Sequence, residues 1–432
     1  MAPRRRRGAD QDAAGQDDAI DADALANAPK NRPPNTAFRQ QRMRAWQCVL
    51  TPKLIVTIFS ILAAIYLGFG AYLTYLAHTV RDFSFDYTDC QKQAPQDGGP
   101  DNFKAVPDGL ISAHFSVPEG STLDPNKAFW RVEKRPFEFG NESLNIDVCL
   151  VRFNIPEDLK PTVSFFYYLE NFYQNHRRYV NSFNAKQLLG DAVDGATING
   201  STCDPLAHDP LGSGKIVFPC GIVANSMFND TFSSPVWLNV AVSPNNARRA
   251  DDNSNRTYTM KDTGITWPGN KDLYGQTKYN NDQIVPPPNW RDRYPNGYND
   301  KNPAPNLQTW EAFQNWMMLA ASPNFYKLYQ RNDVDVMDRG TYQVDIALNF
   351  DTTLYNGRKS FVITTLSTMG SRNIWPGIIF LIVGGICLLL DIYFILSFFL
   401  WKPRKLGDPS YLSWNQPSAP GANTQTHAPG GL

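Results

Sequence analysis

Two long apolar runs constrain this chain more than any other feature of its sequence. Leu54–Ala77 contains no charged residue, and Trp375–Trp401 contains only one, Asp391. At ~1.5 Å of rise per residue, a helix over the first run would be about 36 Å long, enough to cross a hydrocarbon core of about 30 Å. The first run begins beyond residue 50 and is longer than the apolar part of a signal peptide, so we expect an uncleaved anchor. The sequence therefore predicts two transmembrane helices, over 54–77 and 374–401.

The basic residues around these runs predict their orientation. Cytosolic flanks of membrane helices are usually the ones rich in Lys and Arg. We therefore expect the mostly disordered tail 1–53 and the tail 402–432 to be cytosolic, and 78–373 to form a lumenal or extracellular domain. The residues that support this orientation are Arg39, Arg42, Arg44 and Lys53 before the first run, and Lys402, Arg404 and Lys405 after the second.

Glycosylation signals agree with an extracytosolic domain. Asn-x-Ser/Thr acceptors occur only between the two apolar runs. We expect all four to be accessible to glycosylation: Asn141, Asn199, Asn229 and Asn255.

The cysteines divide in the same way. Cys48 and Cys387 lie at or in the membrane segments, and the other four lie between them. In an oxidising compartment, four cysteines allow three disulfide pairings. We expect Cys90–Cys149 and Cys203–Cys220, because the sequential pairing closes the shortest loops.

Short runs with strand character predict a mainly antiparallel β fold for the extracytosolic domain, with short helical insertions. Clusters of Pro, Gly and Asn separate these runs. Apolar spacing predicts helix over Leu307–Ala321 and along the stripe Phe165, Leu169, Phe172 and His176. The predicted strands are Ala113–Val117, Asn145–Asn154, Val236–Val242, Gln343–Phe350 and Ser360–Thr365.

Charge and motifs argue against an enzyme or a nucleic-acid-binding protein. The chain has 41 basic and 41 acidic residues, so its net charge gives no drive toward nucleic acid. The sequence has no HExxH, Walker A, GxSxG or paired CxxC motif. We therefore expect no catalytic residue, no cofactor and no metal ligand.

The densest group of aromatic and basic side chains is "YYLENFYQNHRRYVNS", residues 167–182. Two interpretations stay open: these side chains stack on one another within the domain, or they form a surface that binds another protein. Stacking on nucleic-acid bases is excluded if the segment lies in the secretory lumen. The candidate contact residues are Tyr168, Phe172, Tyr173, Arg177 and Arg178.

Both apolar runs carry a stripe suited to contact with another helix. Small residues let helices approach closely, and a carboxylate inside a membrane usually faces protein or water. We expect Asp391 to face a protein partner, with the alternative that it reaches the bilayer interface. The stripes are Ser60, Ala64, Gly68 and Ala71 in the first run, and Gly377, Gly384 and Asp391 in the second.

Several long motifs resemble a single protein family. They are "AFRQQRMRAWQ", "NFYQNHRRYV", "PCGIVANSMFNDTF", "GITWPG", "PPPNWRDRYPNGY" and "FVITTLSTMGSRN", within a match that runs from about Phe38 to Leu400. They resemble the accessory (β) subunits of P-type ATPase phospholipid flippases, the ligand-effect-modulator family. The sequence departs from the family's usual AWQP at one position, where Cys48 replaces the proline.

The resemblance implies a non-catalytic subunit that forms a heterodimer with a lipid-flipping P-type ATPase. Such a subunit supports the export of the ATPase from the endoplasmic reticulum and phospholipid translocation toward the cytosolic leaflet. It would contact membrane lipids and travel through the Golgi, endosomes and plasma membrane. The motif before the first span adds Phe38, Arg39 and Trp46 to the expected partner contacts. The alternative from another class is a two-span ligand-gated channel subunit, with Asp391 in a selectivity ring.

Overall fold

The computed structural model describes Thr36, Phe38, Arg39 and residues 51–96, 99, 102–117, 119–139, 142–200, 202–238 and 255–400. Contacts divide the chain into two compact units. The larger runs from Ala64 to Gly385, and the smaller combines the chain up to Ala63 with the chain from Ile386. Every described strand lies in the larger unit, which therefore holds the candidate functional domain.

Two long helices correspond to the two apolar runs. Helix α1 spans Pro52–Thr79 and helix α8 spans Trp375–Leu400. Both are long and apolar enough to cross a membrane, which confirms the prediction of two such helices. Pro52 suits the start of α1 because proline lacks the N–H that would be unpaired there. At the start of α8, Asn373 Oδ1 accepts a hydrogen bond from the Trp375 N–H at 3.1 Å.

Short helices interrupt the domain between α1 and α8. Two of them begin at side-chain caps, since Asn184 accepts a hydrogen bond from the Gln187 N–H and Asp194 accepts one from the Thr197 N–H. The short helices are α2 (Cys90–Gln93), α3 (Arg177–Val180), α4 (Ala185–Leu188), α5 (Gly195–Ile198), α6 (Ile222–Asn225) and α7 (Glu311–Met317). Turns of 3-10 helix lie at Asn270–Leu273, Asn281–Gln283, Pro288–Trp290 and Thr353–Tyr355.

A five-stranded antiparallel sheet adjoins the two long helices. Its strands are β1 (Asp82–Asp86), β3 (Ile111–His114), β6 (Val163–Glu170), β12 (Phe325–Asn332) and β14 (Arg358–Thr365). Their order is β12-β6-β14-β1-β3. Strand β1 pairs with β14 from Asp82 opposite Thr364 to Asp86 opposite Ser360. The chain segments that follow α1 and precede α8 are therefore neighbours in the middle of this sheet.

A second, larger sheet has the order β10-β9-β13-β5-β4-β2, and β8 also pairs with β13. Its strands are β2 (Lys104–Ala105), β4 (Ala128–Phe139), β5 (Glu142–Ile155), β8 (Thr231–Phe232), β9 (Val236–Leu238), β10 (Arg256–Thr257) and β13 (Gly340–Ala347). All of its pairings are antiparallel. Only the short pair β7 (Ile216–Val217) and β11 (Ile284–Val285) is parallel among the described strands. The prediction of a mainly antiparallel β domain with short helical insertions is confirmed.

The two larger sheets meet through an aromatic core. Phe83 of β1 stacks on Phe153 of β5 with ring centroids 4.6 Å apart, and Phe165 of β6 packs against Phe232 of β8 at 5.0 Å. All four rings are buried. Alternation along each strand directs these side chains to the inner face of its sheet. Each aromatic pair contributes about 0.5–1.5 kcal/mol beyond the burial of its area.

The helix predicted from the stripe beginning at Phe165 is wrong. Phe165 and Leu169 lie in β6, where hydrogen bonds to β12 and β14 on either side favour an extended backbone. A spacing of four residues fits a strand as well as a helix, because Phe165, Tyr167 and Leu169 alternate onto one buried face. The spacing of apolar residues in this segment fits both a strand and a helix. Pairing with strands that are distant in sequence makes it a strand.

Three other predicted elements end early or are shorter in the structure. One is the strand predicted over Gln343–Phe350, which is β13 and ends at Ala347. Only α7 is helical within Leu307–Ala321, because the Gln314 side chain donates hydrogen bonds to the Leu307 and Gln308 carbonyls and holds that segment in a turn. Strand β3 ends at His114, because its partner β1 begins at Asp82, directly opposite. Beyond Leu238, the predicted strand Val236–Val242 lies outside the described residues.

Candidate functional site

Two disulfides support the extracytosolic domain. Cys90 at the start of α2 is joined to Cys149 of β5, and Cys203 is joined to Cys220. This is the sequential pairing. The bonds have sequence separations of 59 and 17. By chain entropy, disulfides that close loops of these lengths contribute about 4 and 3 kcal/mol of stability. Both bonds therefore stabilise the domain that carries the candidate surfaces.

A buried ion pair links the two larger sheets. Lys359 Nζ on β14 lies 2.8 Å from Asp230 Oδ2, immediately before β8. The same oxygen accepts a hydrogen bond from the Tyr87 hydroxyl at 3.0 Å, and Oδ1 accepts one from each of the Asn349 and Phe350 N–H groups at 2.6 Å. Burial raises the pKa of Tyr87 well above its ordinary value, and Asp230 adds to this effect, so the hydroxyl remains a donor. Both carboxylate oxygens are therefore satisfied, as a buried charge requires.

The structure divides the aromatic and basic segment 167–182 into inward and outward side chains. Phe172 packs inward, with its ring centroid 5.5 Å from that of Trp316 and 5.2 Å from that of Tyr355. Phe172 thus contributes to packing within the domain, and its assignment to the partner surface stays a prediction. Asn171 permits the change of direction, because it adopts a left-handed conformation (φ 62°) at the end of β6.

Four candidate contact residues of the same segment lie on the outside. Tyr168 stacks on Tyr326 across β6 and β12, with centroids 4.3 Å apart, and Tyr173 is 56% exposed. Arg177 and Arg178 begin α3 and are exposed. We refer to these four outward-facing side chains together as the Tyr168–Arg178 surface.

The two arginines of this surface line an open cleft of about 650 Å³. Asn181, Thr202 and Asp204 contribute polar side chains to its lining. Within the described part of the chain, no carboxylate forms an ion pair with either guanidinium group. The cleft therefore offers a partner two guanidinium groups and one carboxylate, that of Asp204.

The tyrosines around this surface are not suited to proton transfer. Burial raises the pKa of Tyr168 to about 12, with a further contribution from Glu170. Burial also raises the pKa of Tyr167 and of Tyr179, whose hydroxyl lies 2.8 Å from Ser226 Oγ. Near neutral pH these phenols stay protonated. In the described residues, no group of three His, Cys, Asp or Glu side chains is placed to hold a metal ion.

Three predicted glycosylation acceptors are exposed: Asn199 after α5, Asn229 before β8 and Asn255 before β10. Asn141 lies outside the described residues. In the segment before α1, Phe38 is 77% exposed and Arg39 is also exposed, whereas Trp46 lies outside the described residues.

In the larger unit, glycines bring α1 and α8 close together. A Cβ added to Gly70 would lie 2.9 Å from Leu381, and one added to Gly384 would lie 2.8 Å from Leu67. Such distances allow no side chain, so both glycines are needed for this approach. Of the stripe predicted on α1, Ala64, Gly68 and Ala71 are exposed, whereas Ser60 bonds to α8. Gly377 and Gly384 of the stripe predicted on α8 both face α1.

In the smaller unit, Asp391 faces α1. Ser60 Oγ donates a hydrogen bond to Asp391 Oδ2 at 2.7 Å, and Asp391 is only 6% exposed. Nearby, the Phe59 and Phe394 rings stack with centroids 5.9 Å apart. Asp391 therefore faces protein within its own chain, and its contact with a partner stays a prediction.

These features define a membrane protein with two apolar helices and a large antiparallel β domain. The chain belongs to the LEM3 (ligand-effect modulator 3) family / CDC50 family, whose sequence profile matches residues 73–405. The family expected from the sequence motifs is thus confirmed.

Three relatives illustrate the similarity. The chain is 69% identical over 424 residues to the "phospholipid-transporting ATPase accessory subunit CDC50" of Chaetomium thermophilum, covering 98% of this chain and 100% of the relative. It is 38% identical over 395 residues to the "phospholipid-transporting ATPase accessory subunit CRF1" of Saccharomyces cerevisiae, covering 91% and 92%. It is 31% identical over 394 residues to "ALA-interacting subunit 3" of Arabidopsis thaliana, covering 91% and 93%. These relatives give no support to the channel alternative.

Proposed function

We propose that this protein is the non-catalytic accessory subunit of a phospholipid-transporting P-type ATPase, with which it forms a heterodimer. The observation that carries the proposal is the match to a relative of that name along 98% of the chain, at 69% identity. The described side chains agree with a binding role, since the exposed Tyr168–Arg178 surface offers hydrogen bonds and charge but no group poised for proton transfer.

The subunit would act by binding the folded form of the ATPase. A partner that binds only the folded state stabilises it by mass action, by about 2.7 kcal/mol at a hundred times the dissociation constant. That stabilisation would allow the ATPase to leave the endoplasmic reticulum and to translocate phospholipid toward the cytosolic leaflet. The complex would then occupy the Golgi, endosomes and plasma membrane.

In this proposal the tails 1–53 and 402–432 are cytosolic and the domain 78–373 is lumenal or extracellular. The flanking basic residues support this orientation. The exposure of Asn199, Asn229 and Asn255 supports glycosylation of the domain, to which Asn141 is added from sequence alone.

Three surfaces would contact the ATPase or the surrounding lipid. The Tyr168–Arg178 surface would meet extracytosolic loops of the ATPase, and acidic loop residues would complement its arginines. The exposed stripe Ala64, Gly68 and Ala71 would meet a membrane helix of the ATPase or lipid. On the cytosolic side, the contacts would come from Phe38, Arg39 and Trp46.

Depletion of the protein tests the function. Without it, the ATPase should remain in the endoplasmic reticulum and uptake of labelled phospholipid should fall. Unchanged ATPase location and uptake would refute the accessory role, and ion conduction by the purified chain would favour the channel alternative.

Charge reversal tests the contact surface separately. Arg177→Glu with Arg178→Glu should reduce co-purification of the ATPase. Lys271→Glu, at an exposed position in another part of the domain, serves as the control. Equal co-purification of all three proteins would remove the Tyr168–Arg178 surface from the interface.

A further inference from the structure

A small cleft lies on the outer face of the five-stranded sheet. Its volume is about 100 Å³, and the side chains that line it come from four strands and from the segment before α8. Phe83, Phe165 and Phe361 of the same strands point to the opposite face, into the core. The cleft is therefore separate from the aromatic core and open to the surroundings. The lining residues that matter below are Asp82, Phe166, Tyr326, Ser371 and Arg372.

The cleft lies close to the ends of both long helices. Asp82 follows the last residue of α1, Thr79, by three positions, and Arg372 precedes the first residue of α8, Trp375, by three positions. A chain extends at most ~3.6 Å per residue, so both side chains start within about 11 Å of a helix end. The polar layer of a bilayer adds about 5–7 Å on each side of its hydrocarbon core. The cleft is therefore within reach of lipid headgroups around the helix ends.

Exposed apolar side chains on the neighbouring turn support this proximity. Leu366 is 37% exposed and Met369 is 64% exposed, on the turn closed by hydrogen bonds between Ser367 and Gly370. Trp375 is 71% exposed at the start of α8. Such residues are favoured where protein meets the bilayer interface. The segment that carries Arg372 is therefore flanked on both sides by residues suited to lipid contact.

The charged groups of the cleft are incompletely paired. Asp82 Oδ1 is buried and has no hydrogen-bond partner among the described residues, although Oδ2 lies 3.2 Å from His114 Nδ1. Arg372 Nε is 3.9 Å from Asp82 Oδ1, which is too far for a hydrogen bond. Asp230, in contrast, has all of its partners. A buried carboxylate oxygen without a partner favours a ligand that supplies a donor.

We propose that this cleft binds the headgroup of phosphatidylethanolamine from the extracytosolic leaflet. The primary ammonium group donates to Asp82 Oδ1 and lies against the Tyr326 and Phe166 rings, and the phosphate accepts from Arg372 beside Ser371. A choline headgroup has no N–H to donate, and a glycerol headgroup has no cation, so both bind more weakly. The proposal rests on the proposed function for the side of the membrane on which the domain lies.

Lipid binding to the purified full-length chain tests the proposal. The chain in detergent is mixed with equal amounts of phosphatidylethanolamine, phosphatidylcholine and phosphatidylglycerol, and retained lipid is measured by native mass spectrometry. Phosphatidylethanolamine should be retained preferentially. Arg372→Gln and Asp82→Asn should each weaken its retention at least about tenfold, because each removes a hydrogen bond to a charged group.

The chain offers a matched control for these variants. Arg358 Nη1 lies 3.8 Å from Asp86 Oδ2, a similarly long pair at the other end of the same two strands. Arg358→Gln should retain phosphatidylethanolamine as the unmodified chain does. If Asp82→Asn fails to fold, Tyr326→Ala replaces it, since Tyr326 is 58% exposed and its removal leaves the core intact.

Two results would overturn the proposal. One is equal retention of phosphatidylethanolamine by the Arg372→Gln variant and the unmodified chain, and the other is equal retention of phosphatidylglycerol and phosphatidylethanolamine. Because binding is measured on the chain alone, these results are independent of co-purification with the ATPase. Failure of that co-purification would count against the proposed function and leave the headgroup result unchanged.

Discussion

Lys359 and Lys327 are both buried lysines of the five-stranded sheet, and they differ in what faces their ammonium groups. Lys359 meets the carboxylate of Asp230. Among the described residues, Lys327 on β12 donates hydrogen bonds only to backbone carbonyls, those of Asn315 at 2.8 Å and of Met318, at the end of α7. Burial lowers the pKa of Lys327 to about 8. A full counter-charge neutralises a buried ammonium group. The partial charges of carbonyls at a helix end do not, so they leave a net positive charge in the interior.

Removal of the counter-charge should have the largest effect. Asp230→Ala leaves Lys359 buried without its carboxylate and leaves the N–H groups of Asn349 and Phe350 without an acceptor. We expect a loss of about 3–5 kcal/mol in the free energy of unfolding, as for other broken buried pairs. Thermal or denaturant unfolding of the full chain with its disulfides intact measures this loss. Asp272→Ala, at an exposed site, should shift stability little, and a comparable shift would contradict the distinct role of Asp230.

The lysine that faces only carbonyls should make stability depend on pH. Folded Lys327 loses its proton near pH 8, whereas the unfolded side chain holds it until about pH 10.5. Between these values the unfolded state binds more protons, so stability rises with pH, by up to about 3 kcal/mol over the whole window. Unfolding measured from pH 7.5 to 9.5 should show the rise below the ordinary tyrosine pKa of about 10.

Lys327→Met supplies the comparison for this rise. The variant has no proton to lose, so its stability should change less over the same pH range. The exposed Lys271→Met variant should keep the full rise. Parallel curves for Lys327→Met and the unmodified chain would show that Lys327 is not the cause.

Asp391 of α8 is a third buried ionisable side chain, and its carboxylate accepts a hydrogen bond from the Ser60 hydroxyl. Ser60→Ala removes the hydrogen bond to Asp391 Oδ2, and hydrogen bonds between membrane helices are worth roughly 0.6 kcal/mol and at most about 1.7 kcal/mol. We expect a destabilisation in that range, measured by unfolding of the full chain in detergent. Thr57→Ala is matched, since the Thr57 hydroxyl bonds within its own helix, to the Lys53 carbonyl. Equal shifts from the two variants would show that the Asp391 contact contributes nothing specific.

The smallest effect on stability is expected where a cation faces solvent. Arg178→Ala should change the free energy of unfolding by no more than about 0.5 kcal/mol, because the side chain is exposed and unpaired within the described residues. It should nevertheless reduce recovery of the ATPase in co-purification. A large loss of stability with unchanged recovery would reverse the assignment, making Arg178 a folding residue.

Much of this architecture was predictable because it depends on local or compositional signals. The two long helices follow from long apolar runs, and strand β14 follows from the β-branched run Ser360–Thr365. The stripe from Phe165 to His176 was misinterpreted because strand and helix periods coincide over four residues. Only the neighbouring strands β12 and β14, distant in sequence, decide between them.

The buried polar groups could not have been predicted from the sequence. Asp230 reads as the middle residue of the Asn229 glycosylation signal, and its cation lies 129 positions later in the chain. Asp82 and Arg372 read as ordinary flanks of membrane helices, and only the pairing of β1 with β14 brings them together. Their chemistry depends on contacts between distant segments, which residue type and spacing do not encode.

The pairing of β1 with β14 also has a mechanical consequence. At the end of this ladder where the chain leaves for both long helices, the Thr365 N–H donates to the Arg81 carbonyl and the Arg81 N–H donates to the Thr365 Oγ1. A force that pulled the adjoining helix ends apart would act first on the hydrogen bonds between Arg81 and Thr365. The hydrogen bonds between β1 and β14 would then break one after another. A force applied to both helix ends in the same direction would instead stretch none of these hydrogen bonds and would move the whole sheet. The ladder therefore offers little resistance to separation of the helix ends but transmits their joint displacement to the domain.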